Sequence, residues 1–181
     1  MTTIINQKIN AMLKKLVGRL GEQEILTDAL NSHRSELIAI YGRRRIGKTY
    51  LVRTFFDKQI TFSFTGLSNG KRTHQIKNFM LKLNEVTNNF EGEKQPTDWL
   101  EAFSYLKTFI KGMKETKKKK VIFIDEFPWV DSHKSGFLFA FENSIYPYPV
   151  SNGFPMASLK GPVGLSETAT PMAFPLASLI S

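Results

Sequence analysis

Between residues 42 and 49 the chain reads Gly42-Arg43-Arg44-Arg45-Ile46-Gly47-Lys48-Thr49. This is the spacing Gly-x-x-x-x-Gly-Lys-[Ser/Thr], and it suits one kind of ligand, a polyphosphate. A bound polyphosphate needs backbone N–H groups packed closely around it. Glycine permits the necessary backbone angles and the close approach. A helix opening at the loop adds unpaired N–H groups and the positive end of its dipole. Lys48 can then neutralise charge on the β- and γ-phosphates, and the Thr49 hydroxyl can ligate Mg²⁺. Gly42, Arg43, Arg44, Arg45, Ile46, Gly47, Lys48, Thr49 and Tyr50 are therefore the candidate phosphate-binding residues.

Ile122-Phe123-Ile124-Asp125-Glu126 supplies a second set. An apolar strand that ends in an acid delivers a carboxylate to the carboxyl edge of a sheet, where ligands bind in open α/β folds. Asp125 is expected to hold Mg²⁺, through a water, together with Thr49. Glu126 is expected to orient or deprotonate an attacking water. Phosphoryl transfer depends chiefly on positioning and charge stabilisation, so Glu126 and Lys48 are the candidate catalytic residues.

These residues need a sheet edge to hold them, and the hydropathy pattern provides one. Residues 16–30 read as helix with a break at Gly18, residues 37–41 as a buried strand, and residues 48–56 as helix. Residues 60–64 read as a strand. Residues 75–86 form a helix with Ile76, Phe79, Met80 and Leu83 on one face. Residues 98–113 form another, with Leu100, Phe103, Leu106 and Ile110 inward. Residues 121–124 are a continuous apolar run, as in a parallel strand buried on both faces. Strands separated by helices point to βαβ units and an α/β sheet.

Val17-Gly18-Arg19 with Glu22 and Glu24, residues 40–49, Phe62-Ser63-Phe64-Thr65-Gly66, Trp99-Leu100-Glu101-Ala102-Phe103, and Ile122-Phe123-Ile124-Asp125-Glu126-Phe127-Pro128-Trp129 together resemble prokaryotic AAA-type P-loop ATPases. The nearest group is the archaeal-ATPase-like set of the signal-transduction NTPases. The resemblance covers about residues 15–142. It implies a three-layer P-loop NTPase sheet with flanking helices, with residues 42–49 as Walker A and residues 121–126 as Walker B. It implies ATP rather than GTP, because no guanine-reading Asn-Lys-x-Asp follows. It also implies Mg-dependent hydrolysis, with Val17 and Gly18 near the adenine. Family members carry a further strand between these two motif strands, then a fifth strand, a helical lid and an arginine contact. Here a Pro-rich stretch begins at Asn143, where that material is expected. The sheet is therefore expected to be incomplete, with unpaired edges on residues 37–41 and 121–124, as in a domain truncated after the Walker B strand.

The 181 residues suffice for one domain, and 41% are hydrophobic. There is no cysteine, hence neither a disulfide framework nor a thiolate metal site. The apolar runs are too short to span a bilayer, so no membrane association is expected. The first 21 residues hold no acid but four basic residues, Lys8, Lys14, Lys15 and Arg19. They lack a continuous apolar stretch and read as an amphipathic helix packed on the domain, in a cytoplasmic protein. The formal charge is +9, and the only charged residues after Glu142 are Lys160 and Glu167, which cancel. Six of the eight prolines lie beyond residue 143, and Phe154-Pro155-Met156-Ala157-Ser158-Leu159 recurs as Phe174-Pro175-Leu176-Ala177-Ser178-Leu179. Residues 1–142 thus read as the N-terminal part of an ATPase domain, and residues 143–181 as an irregular tail outside the fold.

Positive charge attracts polyanions, so nucleic acid stays open as a weakly supported partner. Lys117–Lys120 reads as a run that solubilises a helix end, and the Arg43–Arg45 side chains either add contacts to phosphate or nucleic acid or face solvent. His33, His74 and His133 have no metal-ligand spacing, and the phenylalanines read as core. Asp131 and Ser132 are candidates for a loop near the nucleotide. The leading expectation is an ATP hydrolase, oligomeric or coupled to a protein partner. The alternatives are a nucleotide-binding fragment without turnover and a nucleic-acid-binding module driven by charge.

Overall fold

The computed structural model describes residues 16, 18–33, 35–88, 90, 92, 94–114, 119–132, 134–145, 157–159 and 176–180. Helix α1 (Leu20–Asn31) leads into strand β1 (Glu36–Ile40), and helix α2 (Lys48–Phe56) leads, through a short 3-10 turn, into β2 (Ile60–Thr65). Helices α3 (Arg72–Thr87) and α4 (Trp99–Gly112) precede β3 (Lys120–Asp125). The short helix α5 (Phe127–Val130), helix α6 (Phe137–Ile145) and strands β4 (Ala157–Leu159) and β5 (Leu176–Ile180) follow. Among the described residues, no helix is long and apolar enough to cross a membrane.

The five strands form one mixed sheet in the order β2-β3-β5-β1-β4. β2 and β3 are parallel, with Phe64 beside Ile124 and Thr65 beside Asp125. β4 is parallel to β1, whereas β5 runs antiparallel to both β1 and β3. Alternate residues of a strand face opposite sides of its sheet. Ile122 and Ile124 accordingly join one core cluster with residues of α3, α4 and α6, while Val121 and Phe123 join another with residues of α1 and α2.

Local chemistry sets the helix boundaries. The Asp98 side chain accepts a bond from the Glu101 N–H at the start of α4, and the Glu101 carboxylate accepts one from the Thr97 N–H, a reciprocal arrangement close to a capping box. α3 ends at Asn88 in the left-handed conformation, a usual helix stop. Phe79 sits at the centre of the larger core. Its ring meets those of Phe62, Phe64, Trp99 and Phe103 edge-on, at centroid distances of 5.1, 5.3, 5.6 and 5.5 Å.

Several expectations are corrected. The slot between β1 and β3 is not left open: β5 fills it, antiparallel, and supplies partners for both inner edges. An orphaned row of buried N–H and C=O groups would cost about 1–3 kcal/mol per group, so any segment able to extend there is strongly favoured. Two segments of the stretch read as an outlying tail thus pair within the sheet, and α6 runs on past residue 142. Strands β4 and β5 contain the second part of each copy of the internal repeat, residues 157–159 and 176–179, whereas its other residues, the first 15 residues and His133 lie outside the described residues. Leu100 does not point inward but is 44% exposed, and Trp99 and Ala102 are buried in its place. Lys119 does not solubilise anything. It is buried, and its ammonium donates to the Ala29 carbonyl at 2.8 Å and to the Ser32 hydroxyl at 2.6 Å, placing a cation at the negative end of α1. Phe139 is exposed rather than core.

Truncating the central ring should be costly and truncating the exposed leucine should not. Phe79→Ala is expected to lower the unfolding free energy by about 3–5 kcal/mol. Leu100→Ala is expected to change it by no more than about 0.5 kcal/mol. Urea denaturation followed by circular dichroism separates the two, and comparable losses would contradict this packing.

Candidate functional site

The loop between β1 and α2 owes its path to residues with positive φ. Gly42 has φ 146°, Arg45 φ 62° and Gly47 φ 81°. The backbone angle favours glycine at position 42, whereas the Ile46 Cδ1 that a Cβ would meet at 2.8 Å ends an exposed side chain that can turn aside. Gly47 is the N-cap of α2 and has no side chain with which to cap that helix end. The first-turn N–H groups of a helix lack intrahelical partners, and here they open at the carboxyl edge of the sheet beside the loop. Arg43, Arg44, Arg45, Ile46, Gly47 and Tyr50 are exposed around it.

Two side chains from the start of α2 turn inward. Lys48 Nζ donates to the carbonyls of Gly42 at 2.9 Å and Arg43 at 2.7 Å, folding the loop over its own amino group. Burial pushes the Lys48 amino group below the ordinary lysine value. The carboxylates of Glu126 and Asp125 oppose that shift, and the cations of Arg19 and Arg44 add to it. Thr49 Oγ1 donates to Asp125, 3.0 Å from Oδ2 and 3.3 Å from Oδ1. This bond joins the glycine loop to the end of β3.

Asp125 is buried and also accepts the Glu126 N–H at 3.0 Å through Oδ1. Glu126 stands in the left-handed region at φ 52°, an uncommon conformation for a residue with a side chain. Its Oε2 is buried without a hydrogen-bond partner among the described residues. A hydroxyl and a carboxylate are hard oxygen donors of the kind Mg²⁺ prefers, and two protein ligands suffice for an ion that keeps several waters. Thr49 and Asp125 therefore fit the metal they were expected to hold. The basic residues converge as well: the Arg19 guanidinium donates to the Ile46 carbonyl of the loop, and the Arg44 Cζ lies 5.9 Å from the centroid of the Trp129 ring.

The sequence-predicted residues 42–50 and 125–126 thus meet at one sheet edge. Gly18, left-handed at φ 80°, adjoins Arg19 and so lies near the loop, while Val17 is outside the described residues. Asp131 is engaged elsewhere: its Oδ1 accepts the Ser135 hydroxyl and the Leu138 N–H, each at 3.3 Å, at the start of α6. Ser132 is exposed and its carbonyl accepts the Ser135 N–H in the same turn. The sequence reading gave no site role to two residues that contact the turn after β3. Gly66 packs directly against the turn after β3, and the Gln75 amide, 1% exposed, bonds to that turn. A polar Gln75 on the apolar stripe of Ile76, Phe79, Met80 and Leu83 was the available signal for the second.

A mixed α/β sheet with a glycine loop opening a helix at the carboxyl edge is consistent with a P-loop-like domain. Residues 16–146 match the family described as ATPase domain predominantly from Archaea, and the chain belongs to that family. It is similar to an uncharacterized protein of Methanocaldococcus jannaschii, with 32% identity over 112 residues, which cover 62% of this chain and 22% of that protein. It is also similar to an uncharacterized ATP-binding protein of the same organism, with 42% identity over 43 residues, which cover 24% of this chain and 73% of that protein. The chain thus spans less than a quarter of the length of the first of these relatives and about three quarters of the second. No solved structure matches it.

The Thr49 hydroxyl is one of two donors to the buried Asp125 carboxylate. Thr49→Val is therefore expected to lower the unfolding free energy of the ligand-free chain by about 1–3 kcal/mol, as read by chemical denaturation. An unchanged value would mean that Asp125 does not depend on Thr49.

Proposed function

We propose that this chain binds Mg-ATP in the Gly42–Thr49 loop and hydrolyses it, as a Walker-type ATPase of the AAA-like group with a three-layer α/β domain. The observation that carries the reading is the bond from Thr49 to Asp125. It brings the hydroxyl that follows the phosphate-loop lysine to the carboxylate that ends β3. Membership of an ATPase-domain family and similarity to a protein named as ATP-binding support ATP as the nucleotide. A cytoplasmic location, where Mg-ATP is available, goes with this reading.

The roles follow from the chemistry of each group. The loop N–H groups and the α2 N-terminus bind phosphate oxygens. Lys48 exchanges its bonds to the Gly42 and Arg43 carbonyls for bonds to the β- and γ-phosphates. Phosphate oxygens give that amino group anionic partners, which offset the lowering that burial and the neighbouring cations impose. Thr49 and Asp125 would hold the Mg²⁺, which supplies charge neutralisation on the phosphates. Glu126 orients a water and accepts its proton as the water oxygen bonds to the γ-phosphorus and the bond to the β–γ bridging oxygen breaks. Its buried Oε2, which has no hydrogen-bond partner among the described residues, is the atom available for that water.

Substituting the proton acceptor separates binding from chemistry. Glu126→Gln keeps the shape of the side chain but not its basicity. It should retain Mg-ATP affinity within about two-fold while phosphate release falls by roughly 100-fold or more. Phosphate release at the wild-type rate would remove Glu126 from the mechanism. A wild-type chain that binds ATP without releasing phosphate would leave a nucleotide-binding domain without turnover.

A further inference from the structure

The turn that carries Glu126 is gripped from the side away from the phosphate loop. Gln75 lies on α3 and is 1% exposed, and its side-chain amide bonds to main chain outside its own helix. Oε1 accepts the Leu67 N–H at 2.9 Å, and Nε2 donates to the Leu67 carbonyl at 2.7 Å and to the Trp129 carbonyl at 2.9 Å. One side chain therefore ties the loop after β2 to α5. On the other side of that loop, the Gly66 N–H donates to the Asp125 carbonyl at 3.0 Å. Gly66 also has no room for a side chain: a Cβ would lie 2.6 Å from Val130 Cγ2, 2.8 Å from the Glu126 carbonyl oxygen and 3.3 Å from Trp129 Cβ.

We propose that Gln75 is a positioning residue, which with Gly66 clamps the Glu126–Val130 turn and so holds Glu126 at the mouth of the phosphate loop. Glu126 needs such support. Its left-handed backbone is disfavoured for a residue with a side chain, and a conformation of this kind persists only where the surroundings over-determine it. The turn itself is short, closed by the Trp129 N–H to the Glu126 carbonyl and the Asp131 N–H to the Phe127 carbonyl, each at 2.9 Å. A helix of 4 residues has little stability of its own, so its placement comes from outside contacts. The clamp also orders the backbone beneath Trp129, whose ring faces Arg44 of the phosphate loop. Gln75 touches neither nucleotide nor metal in this scheme and acts through the turn.

The consequence for turnover rests on the hydrolysis reading above, whereas the clamp itself does not. Two variants load it from opposite sides: Gln75→Leu removes the bonds to Leu67 and Trp129, and Gly66→Ala pushes a methyl group into the turn. Amide hydrogen exchange of the full chain reads the clamp directly. In both variants, peptides covering residues 126–131 should exchange roughly ten-fold faster, with peptides from β1 and α2 unchanged as an internal check of folding. Steady-state phosphate release should show kcat down by roughly 10- to 100-fold with KM for ATP within about two-fold, because misplacement of a catalytic group is felt in the chemical step. Unchanged exchange in residues 126–131 would overturn the clamp. Faster exchange with an unaltered kcat, or a change confined to KM, would overturn its role in positioning Glu126. A wild-type chain without turnover would defeat the hydrolysis reading alone, and the exchange data would still decide whether Gln75 holds the turn.

Discussion

The Thr49 hydroxyl bonds the glycine loop's helix to the acid that ends β3. Thr49 belongs to the helix that follows β1, Asp125 ends β3, and β5 lies between those strands in the sheet. Neighbouring strands are spaced about 4.8 Å apart, so the two motif strands stand roughly 10 Å from each other. No side chain on β1 itself bridges that gap comfortably. The glycine loop does so by leaning over the sheet edge and starting α2 above it. The positive-φ turns at Gly42, Arg45 and Gly47 are thus the backbone route by which residues far apart in sequence meet. Occupancy of the slot between β1 and β3 is the other half of the same constraint, because it keeps the two strand ends level and in register.

The charges at this edge are poised for a polyanion. Arg19, Arg44 and Lys48 gather around the loop while Asp125 and Glu126 lie beneath it. Burial lowers the Lys48 value, and repulsion from Arg19 and Arg44 adds to that against the pull of Glu126 and Asp125. A polyphosphate relieves that repulsion, and a divalent cation on Thr49 and Asp125 would balance the added negative charge. Glu126 contributes a second kind of poise, with an uncommon backbone angle and a buried oxygen that has no hydrogen-bond partner among the described residues.

Much of this was legible in the chain, for reasons that also explain the failures. The bounds of α2 coincide with the expected residues 48–56 because a glycine starts the helix and its apolar face is regular. β3 was legible because a strand buried on both faces must be apolar throughout. α4 was placed to within a residue at each end, yet its inward face was taken from Leu100 when Trp99 and Ala102 lie inside. Helical periodicity fixes the spacing of a buried stripe better than its phase when large apolar residues are adjacent. Lys119 was misread because a lysine in a basic run gives no local sign that a helix C-terminus waits for it. The pairing of β5 and the grip of Gln75 and Gly66 are contacts between distant segments, which no window along the chain displays.

The central claim is that the glycine loop and the β3 acids form one Mg-ATP site. Calorimetric titration of Mg-ATP into the chain, with Lys48→Ala as the comparison and circular dichroism confirming that both are folded, tests it most directly. The account predicts saturable binding at about one nucleotide per chain, lost in the variant together with the contribution of the loop lysine. A well-folded wild-type chain that shows no binding, or a Lys48→Ala chain that binds as tightly as the wild type, would contradict it.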